Sequence, residues 1–228
     1  MDYLRINFEE MRFGAMKDTI ESLERAFRKF DVDFYLIGAF ARDMWMNHLE
    51  DLPIRRTTND VDLSVYVHSY RDFANLKQYL VDIEEFTRDD EPYRLFSKIG
   101  AMIGPPMALS VFGSQEVFKH AQSLEIEGNS FKICTLPGLC ILKLISGHEK
   151  ADRMEKDMGD FYYLLENYFE IAGDTIYEGE FGDLIDEEFD PLISSIKMLG
   201  RQMKPILTDS GIRTLQTQKT GKFSALNW

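Results

Sequence analysis

One stretch limits the possible folds more than any other: Arg56-Thr57-Thr58-Asn59-Asp60-Val61-Asp62-Leu63-Ser64-Val65. Val61, Leu63 and Val65 alternate with Asp60, Asp62 and Ser64, which is the period of a β-strand with one apolar and one polar face. Side chains at i and i+2 share a face. Asp60 and Asp62 therefore stand side by side, about 6.5 Å apart at Cβ from the strand rise. At an effective dielectric near 20 two unit charges at that spacing repel by about 2.5 kcal/mol. Folding alone does not call for that repulsion. A hard cation between the carboxylates would relieve it, and Mg²⁺ is commonly held by one or two carboxylates together with substrate phosphates. The plain alternative is a solvated start to a strand, where acids are common.

The chain just upstream adds a second element. Asp33-Phe34-Tyr35-Leu36-Ile37-Gly38 reads as a buried strand, and it runs into Gly38-Ala39-Phe40-Ala41-Arg42-Asp43, which reads as a helix start. A strand–glycine–helix junction directs backbone N–H groups outward, where they can cradle phosphate. A phosphate cradle and a carboxylate pair together point to a nucleoside triphosphate with Mg²⁺. The combination resembles the nucleotidyltransferase superfamily. Gly38 to Asp43 is similar to the Gly-Gly-x-x-Arg-Asp of tRNA nucleotidyltransferases and poly(A) polymerase heads. Arg56-x-Thr58-x-Asp60-x-Asp62 resembles the Arg-x-Thr-x-Asp-x-Asp of the AbiEii/AbiGii toxin group. About twenty residues from the glycine turn to the acidic pair also fit that group.

The resemblance implies transfer of a nucleoside monophosphate from an NTP to an acceptor hydroxyl, on an RNA end or a protein, with Mg²⁺ or Mn²⁺ as cofactor. It implies Asp60 and Asp62 as metal ligands and catalytic residues. Gly38, Ala39, Arg42, Arg56 and Thr58 would meet the nucleotide. A toxin-like role and an antitoxin-like partner come with the same group. In it, a lysine on the first helix of the second half, followed by Arg…Lys-Asp…Asp on the next, belongs to the pattern. The matching residues are Lys143, Arg153, Lys156, Asp157 and Asp160. Lys143 and Lys156 are thereby expected at the triphosphate. Read without the resemblance, Lys143 is a lone cation in an apolar helix with its ammonium reaching for water. Lys156 and Asp160 would be a surface i,i+4 pair.

The sequence departs from that pattern twice. Ala39 replaces the second glycine. The third carboxylate, which supports the activating metal, commonly lies in a segment like Val-Asp-Leu-Leu-Pro-Phe-Gly. Here Met107-Ala108-Leu109-Ser110-Val111-Phe112-Gly113 takes its place, so the expected aspartate aligns with Ala108. Glu91 and Glu116 are the substitutes in view. The alternative function is a catalytically inactive member of the same fold that binds a nucleotide or a partner protein.

The rest of the chain sets the frame. Helices are expected over residues 8–30, 40–49 and 69–86, with Ile20, Leu23, Ala26, Phe27 and Phe30 facing the core in the first and Phe73, Leu76, Tyr79, Leu80 and Ile83 in the third. Residues 93–99 and 107–113 read as strands, and 123–127 and 130–135 as a hairpin. After Leu136 strand signals vanish, and helices are expected over 137–147, 151–170 and 190–207. The expected fold is thus α/β, a mixed-sheet nucleotidyltransferase-like domain over residues 1–135 followed by an all-helical domain over 136–228 with a basic C-terminal tail. The 228 residues are ample for such a core.

Charge and composition remove other classes. A net charge of −13 argues against bulk duplex DNA binding, which runs on phosphate neutralisation. No apolar run reaches transmembrane length, and no signal-peptide layout opens the chain, so no membrane partner and a cytoplasmic location are expected. Cys134 and Cys140 read as two buried free thiols. Charge is uneven: residues 151–190 carry fourteen acids against two bases, and residues 201–228 five bases against Asp209. There is no Walker loop, no Gly-x-Gly-x-x-Gly, no His-Glu-x-x-His and no Gly-x-Ser-x-Gly.

Overall fold

A computed structural model describes residues 4–6, 17–50, 60–67, 69–90, 94–98, 102–103, 107–108, 114–126, 129–149, 154–185, 189–209 and 211–213. The chain divides into two compact units. One comprises residues 1–114 and 121–134 and holds the sheet; the other comprises residues 115–120 and 135–228 and is helical. The short helix α4 (Ser114–Lys119), which the sequence reading does not anticipate, falls almost wholly in the helical unit although two strands of the sheet follow it.

The sheet is mixed. Its nine strands are β1 (Leu4–Ile6), β2 (Asp33–Ile37), β3 (Asp60–Tyr66), β4 (Thr87–Arg88), β5 (Leu95–Phe96), β6 (Met102–Ile103), β7 (Met107–Ala108), β8 (Gln122–Ile126) and β9 (Asn129–Ile133). They lie in the order β1-β8-β9-β2-β3-β6-β5-β4, with β7 also on β3. The longest ladder is the antiparallel β2–β3 pair, which runs without a break from Asp33↔Tyr66 to Ile37↔Asp62. β8 and β9 form the expected hairpin. β6 and β7 both run parallel to β3: Asp60 pairs with Met102 and Val61 with Ile103, then Ser64 with Met107 and Val65 with Ala108.

Helix α1 (Lys17–Lys29) forms because Ile20, Leu23, Ala26 and Phe27 recur at helical spacing, and all four are buried. Phe27 stacks 4.3 Å from Phe34 of β2, and Phe34 meets Phe131 of β9 at 6.1 Å. This aromatic row fixes α1 to the face that also carries Leu36 and Ile133, which pair across β2 and β9. Helix α3 (Tyr70–Asp82) is capped by Ser69, whose hydroxyl accepts from the Asp72 N–H at 3.1 Å. It stops earlier than the hydrophobic spacing predicts. Glu85 takes the left-handed conformation (φ 59°), and the Phe86 N–H donates back to the Leu80 carbonyl, a left-handed helix stop. The turn sends Phe86 inward and leaves Ile83, expected in the core, 61% exposed. Leu76 and Leu80 are buried as expected.

In the helical unit, α5 (Leu136–Glu149), α6 (Met154–Ala172) and α7 (Pro191–Met203) pack on one another. Asp190 caps α7, accepting from the Ile193 N–H at 2.9 Å, with Pro191 in the first turn. Among the described residues the unit also has 3-10 turns at 173–177, 179–184 and 204–206. Cys134, in the sheet unit, and Cys140, in the helical one, are buried and not disulfide-bonded, and burial pushes the Cys140 thiol up. Among the described residues no helix is long and apolar enough to cross a membrane.

Candidate functional site

The β2–β3 register builds the site. It sets Asp62 opposite Ile37, the last residue of β2, so the carboxylate stands beside the residue that follows. That residue is Gly38, where helix α2 (Gly38–Glu50) begins. Gly38 has φ +70°, and a Cβ placed on it would stand 2.8 Å from the Cβ of Asp62 and closer still to the carboxylate. Two demands therefore meet at one position. Only glycine adopts that backbone at little cost, and only glycine leaves room for Asp62. The carboxylate is held directly over the junction where the strand becomes a helix. Asp60 shares the face, two residues nearer the start of β3, and both acids are half-buried. On the same face Tyr35 and Ser64, both buried, are hydrogen-bonded to one another. Burial drives the Tyr35 hydroxyl up, with the Ser64 contact pulling the other way. That bond ties β2 to β3 next to the acidic pair.

The neighbouring strand decides what can stand beside the pair. Residues in parallel register share a face. Position 102 lies level with Asp60, while Ala108 lies level with Val65, three residues beyond Asp62. Ala108, which aligns with the expected third carboxylate, is thus level with Val65 and with neither acid of the pair. Among the described residues no group of three acids, histidines or cysteines forms. Of the expected substitutes, Glu116 accepts from Thr208 within the helical unit at 3.4 Å, and Glu91 lies outside the described residues. Arg56 and Thr58 lie outside them too.

Arg42, expected at the nucleotide, lies on α2. It is 1% exposed, and its Nε and Nη2 both donate to Asp43 Oδ1, at 2.7 and 2.5 Å. A guanidinium in the core on its neighbour's carboxylate helps to hold α2 in place. Ala39 is buried, so its contribution to a phosphate cradle would be its backbone alone. Trp45 of α2 donates to the Cys134 carbonyl at 2.7 Å, anchoring the helix to the end of β9.

The helical unit holds a second polar cluster. Lys143 Nζ donates to Asp157 Oδ1 at 2.8 Å and to Asp160 Oδ2 at 3.0 Å. Ser146 donates to the other oxygen of Asp157 at 2.7 Å. The lysine side chain is 13% exposed and both carboxylates are buried. Gly147 lets α6 come close: a Cβ there would lie 3.2 Å from Met158 Sδ. Lys143 is thus neither a lone cation nor one reaching for water. Asp160 turns inward to it and does not form a surface pair with Lys156, which is exposed. Ser146 was not singled out from sequence, although its position three residues after Lys143 puts both on one face of α5.

No protein-family model matches the chain, and no curated protein matches it in sequence. Among solved structures the chain is similar to an antigenic nucleotidyltransferase-like protein from Paracoccidioides brasiliensis, at 16% identity, with 86% of this chain and 91% of that one covered and a TM-score of 0.43.

Proposed function

We propose that the protein moves a nucleoside monophosphate from an NTP to an acceptor hydroxyl, with the sheet unit as the nucleotide-binding part. One observation carries this reading: Asp62 lies against Gly38, so an acidic strand and a helix N-terminus converge on one point. Half-buried carboxylates of Asp60 and Asp62 are hard oxygen donors of the kind Mg²⁺ or Mn²⁺ takes, with substrate phosphates filling the remaining positions. A bound divalent ion would supply charge neutralisation at the phosphates. The chain's own part is orientation and electrostatics. The backbone N–H groups of Gly38 and Ala39 would hold phosphate oxygens at the positive end of α2, and the carboxylates would fix the metal over them. Arg56 and Thr58, just before the strand, are proposed as further nucleotide contacts on their likeness to the Arg-x-Thr-x-Asp-x-Asp pattern. An RNA end or a protein hydroxyl is the acceptor class, and the toxin-like role with an antitoxin-like partner remains part of the proposal. The reading rests on residues of the sheet unit alone.

A second reading has its own support. The position level with Asp60 on the neighbouring strand is Met102 and not an acid. Two carboxylates suffice for a phosphate-bound metal more readily than for one that activates an attacking hydroxyl. A nucleotide-binding member without turnover fits that arrangement.

Calorimetric titration of each NTP, with and without Mg²⁺, against wild type and Asp60→Asn/Asp62→Asn tests both. Mg²⁺-dependent binding lost in the variant is expected. Equal binding in all four cases removes the site. Incorporation of labelled NMP into RNA or protein extracts then separates transfer from binding alone.

A further inference from the structure

We propose that a cavity in the sheet unit, away from the acidic pair, binds a small zwitterion of the free α-amino acid class. The cavity has a volume of about 180 Å³ and opens between α1, the turn after α3 and the residues following β5. A 150 Å³ apolar cavity is known to hold benzene, so this one takes a molecule of similar or slightly larger size. It is too small for a nucleotide. Its wall is polar. Thr19, Ser22 and Ser97 are buried hydroxyl residues lining it, and Phe86 is its one aromatic residue among the described residues.

Charges of both signs are laid out along it. Asp18 and Glu21 lie on the first turns of α1, and Arg25 follows Glu21 by four residues on the same stripe. That is one helical turn, about 5–6 Å between side-chain bases. Arg25 is held in place from behind: its Nε and Nη2 donate to Glu84 at 3.2 and 2.7 Å, and Nη2 also reaches Ser22 at 2.9 Å. A guanidinium carries five N–H donors, and no described residue takes the two on Nη1. Lys98, tied to Glu85, adds positive charge to the lining. A ligand carboxylate at Arg25 and Lys98, with an ammonium one turn back at Glu21 and Asp18, matches this layout.

The backbone supports a built site. Glu85 holds the left-handed conformation at φ 59° where glycine is usual. That conformation costs about 1–2 kcal/mol for a residue with a side chain. It turns Glu84 and Phe86 toward the cavity while Glu85 itself pairs with Lys98. Other ligand classes fit less well. Among the described residues the acids do not converge as a cation site. Three carboxylates in the lining oppose a simple anion, and the hydroxyls and charges oppose an apolar guest.

The test uses the full chain and four probes followed by amide chemical shifts of α1 and residues 84–98: L-serine, N-acetyl-L-serine, which lacks the ammonium, L-serine methyl ester, which lacks the carboxylate, and glycerol. Saturable shifts at these residues are expected with L-serine, and binding at least about tenfold weaker with each of the other three. Asp18→Asn/Glu21→Gln, two changes at the mouth that keep side-chain shape, should melt as wild type and lose L-serine by a similar factor while leaving the weak ester response unchanged or lower. No saturable shift with L-serine, equal binding of glycerol or either blocked serine, or undiminished binding in the folded double variant would each overturn the proposal.

Discussion

Replacing Gly38 with alanine tests the contact on which the site depends. Two costs arise in the structure. The backbone at φ +70° is unfavourable for a residue with a Cβ by about 1–2 kcal/mol. The new methyl would also stand 2.8 Å from the Cβ of Asp62, where ordinary carbon contacts begin near 3.5 Å. Relieving that overlap means moving Asp62 or the start of α2, and overpacking of this kind costs about 1–3 kcal/mol. The expected loss is about 3 kcal/mol, or about 6–12 °C in Tm for a chain of this size. A double-mutant cycle separates the two parts. Asp62→Gly removes the colliding side chain, so Gly38→Ala in that background should retain only the backbone cost. The coupling energy from urea unfolding of the four proteins is then expected at about 1–3 kcal/mol. Additive effects within about 0.5 kcal/mol would refute the reasoning, because they would mean that Asp62 does not lie against Gly38.

Three further outcomes follow from the same geometry. Lys143→Met keeps the apolar stem but strands Asp157 and Asp160 without their cation, so denaturant unfolding should show a loss of about 3–5 kcal/mol, and adding Asp157→Asn and Asp160→Asn should return part of it. The Arg25 contacts hold the Glu84 carboxyl below its ordinary range, so the stability that this pair contributes is present above the unfolded carboxyl value of about 4.3 and is lost as pH falls through the lower folded value; stability against pH between about 5 and 2 should flatten in Glu84→Gln. Finally, an acid at position 102 should face Asp60 and one at position 108 should not: Met102→Asp should gain Mg²⁺-dependent thermal stability over wild type, whereas Ala108→Asp should lose stability with no such recovery.

What the sequence makes legible here follows the range of the interaction. Alternation in residues 60–65 and the run 33–38 are local patterns, and both strands form. Their antiparallel pairing, which brings Asp62 to Gly38, is not legible in the spacing, because a strand–helix–strand link of this length more often joins parallel strands. Residues whose fate depends on a distant partner are less legible. Ile83 has core spacing on α3, yet a left-handed turn two residues later ends the helix and exposes it. β1 shows no usable pattern of its own and exists because β8 offers it an edge. Arg42 in a phosphate-like motif looks like an exposed ligand contact from spacing alone, and the structure places it in the core, bonded to Asp43.

The contrast between the two lysine-or-arginine positions has a physical cause. Sequence spacing gives the face on which a side chain lies, but the sign and distance of the charge opposite come from another element. Lys143 sits on a nearly all-apolar helix, where the spacing alone permits either an ammonium in water or one in a buried pair. The second helix decides it: Asp157 and Asp160 are three residues apart, so both carboxylates lie on the side of α6 that meets α5. Two buried acids facing one buried base make each a requirement for the others, which is why removal of the lysine is expected to cost more than removal of the trio. The acidic pair of β3 is built the opposite way. Asp60 and Asp62 stand on one strand face with a helix N-terminus below Asp62, and the register puts position 102, a methionine, level with Asp60. On the proposed function, carboxylates placed so close, half-exposed over backbone N–H groups, would favour a cation that arrives with its own anionic ligand. This is the arrangement a metal-bound triphosphate would complete.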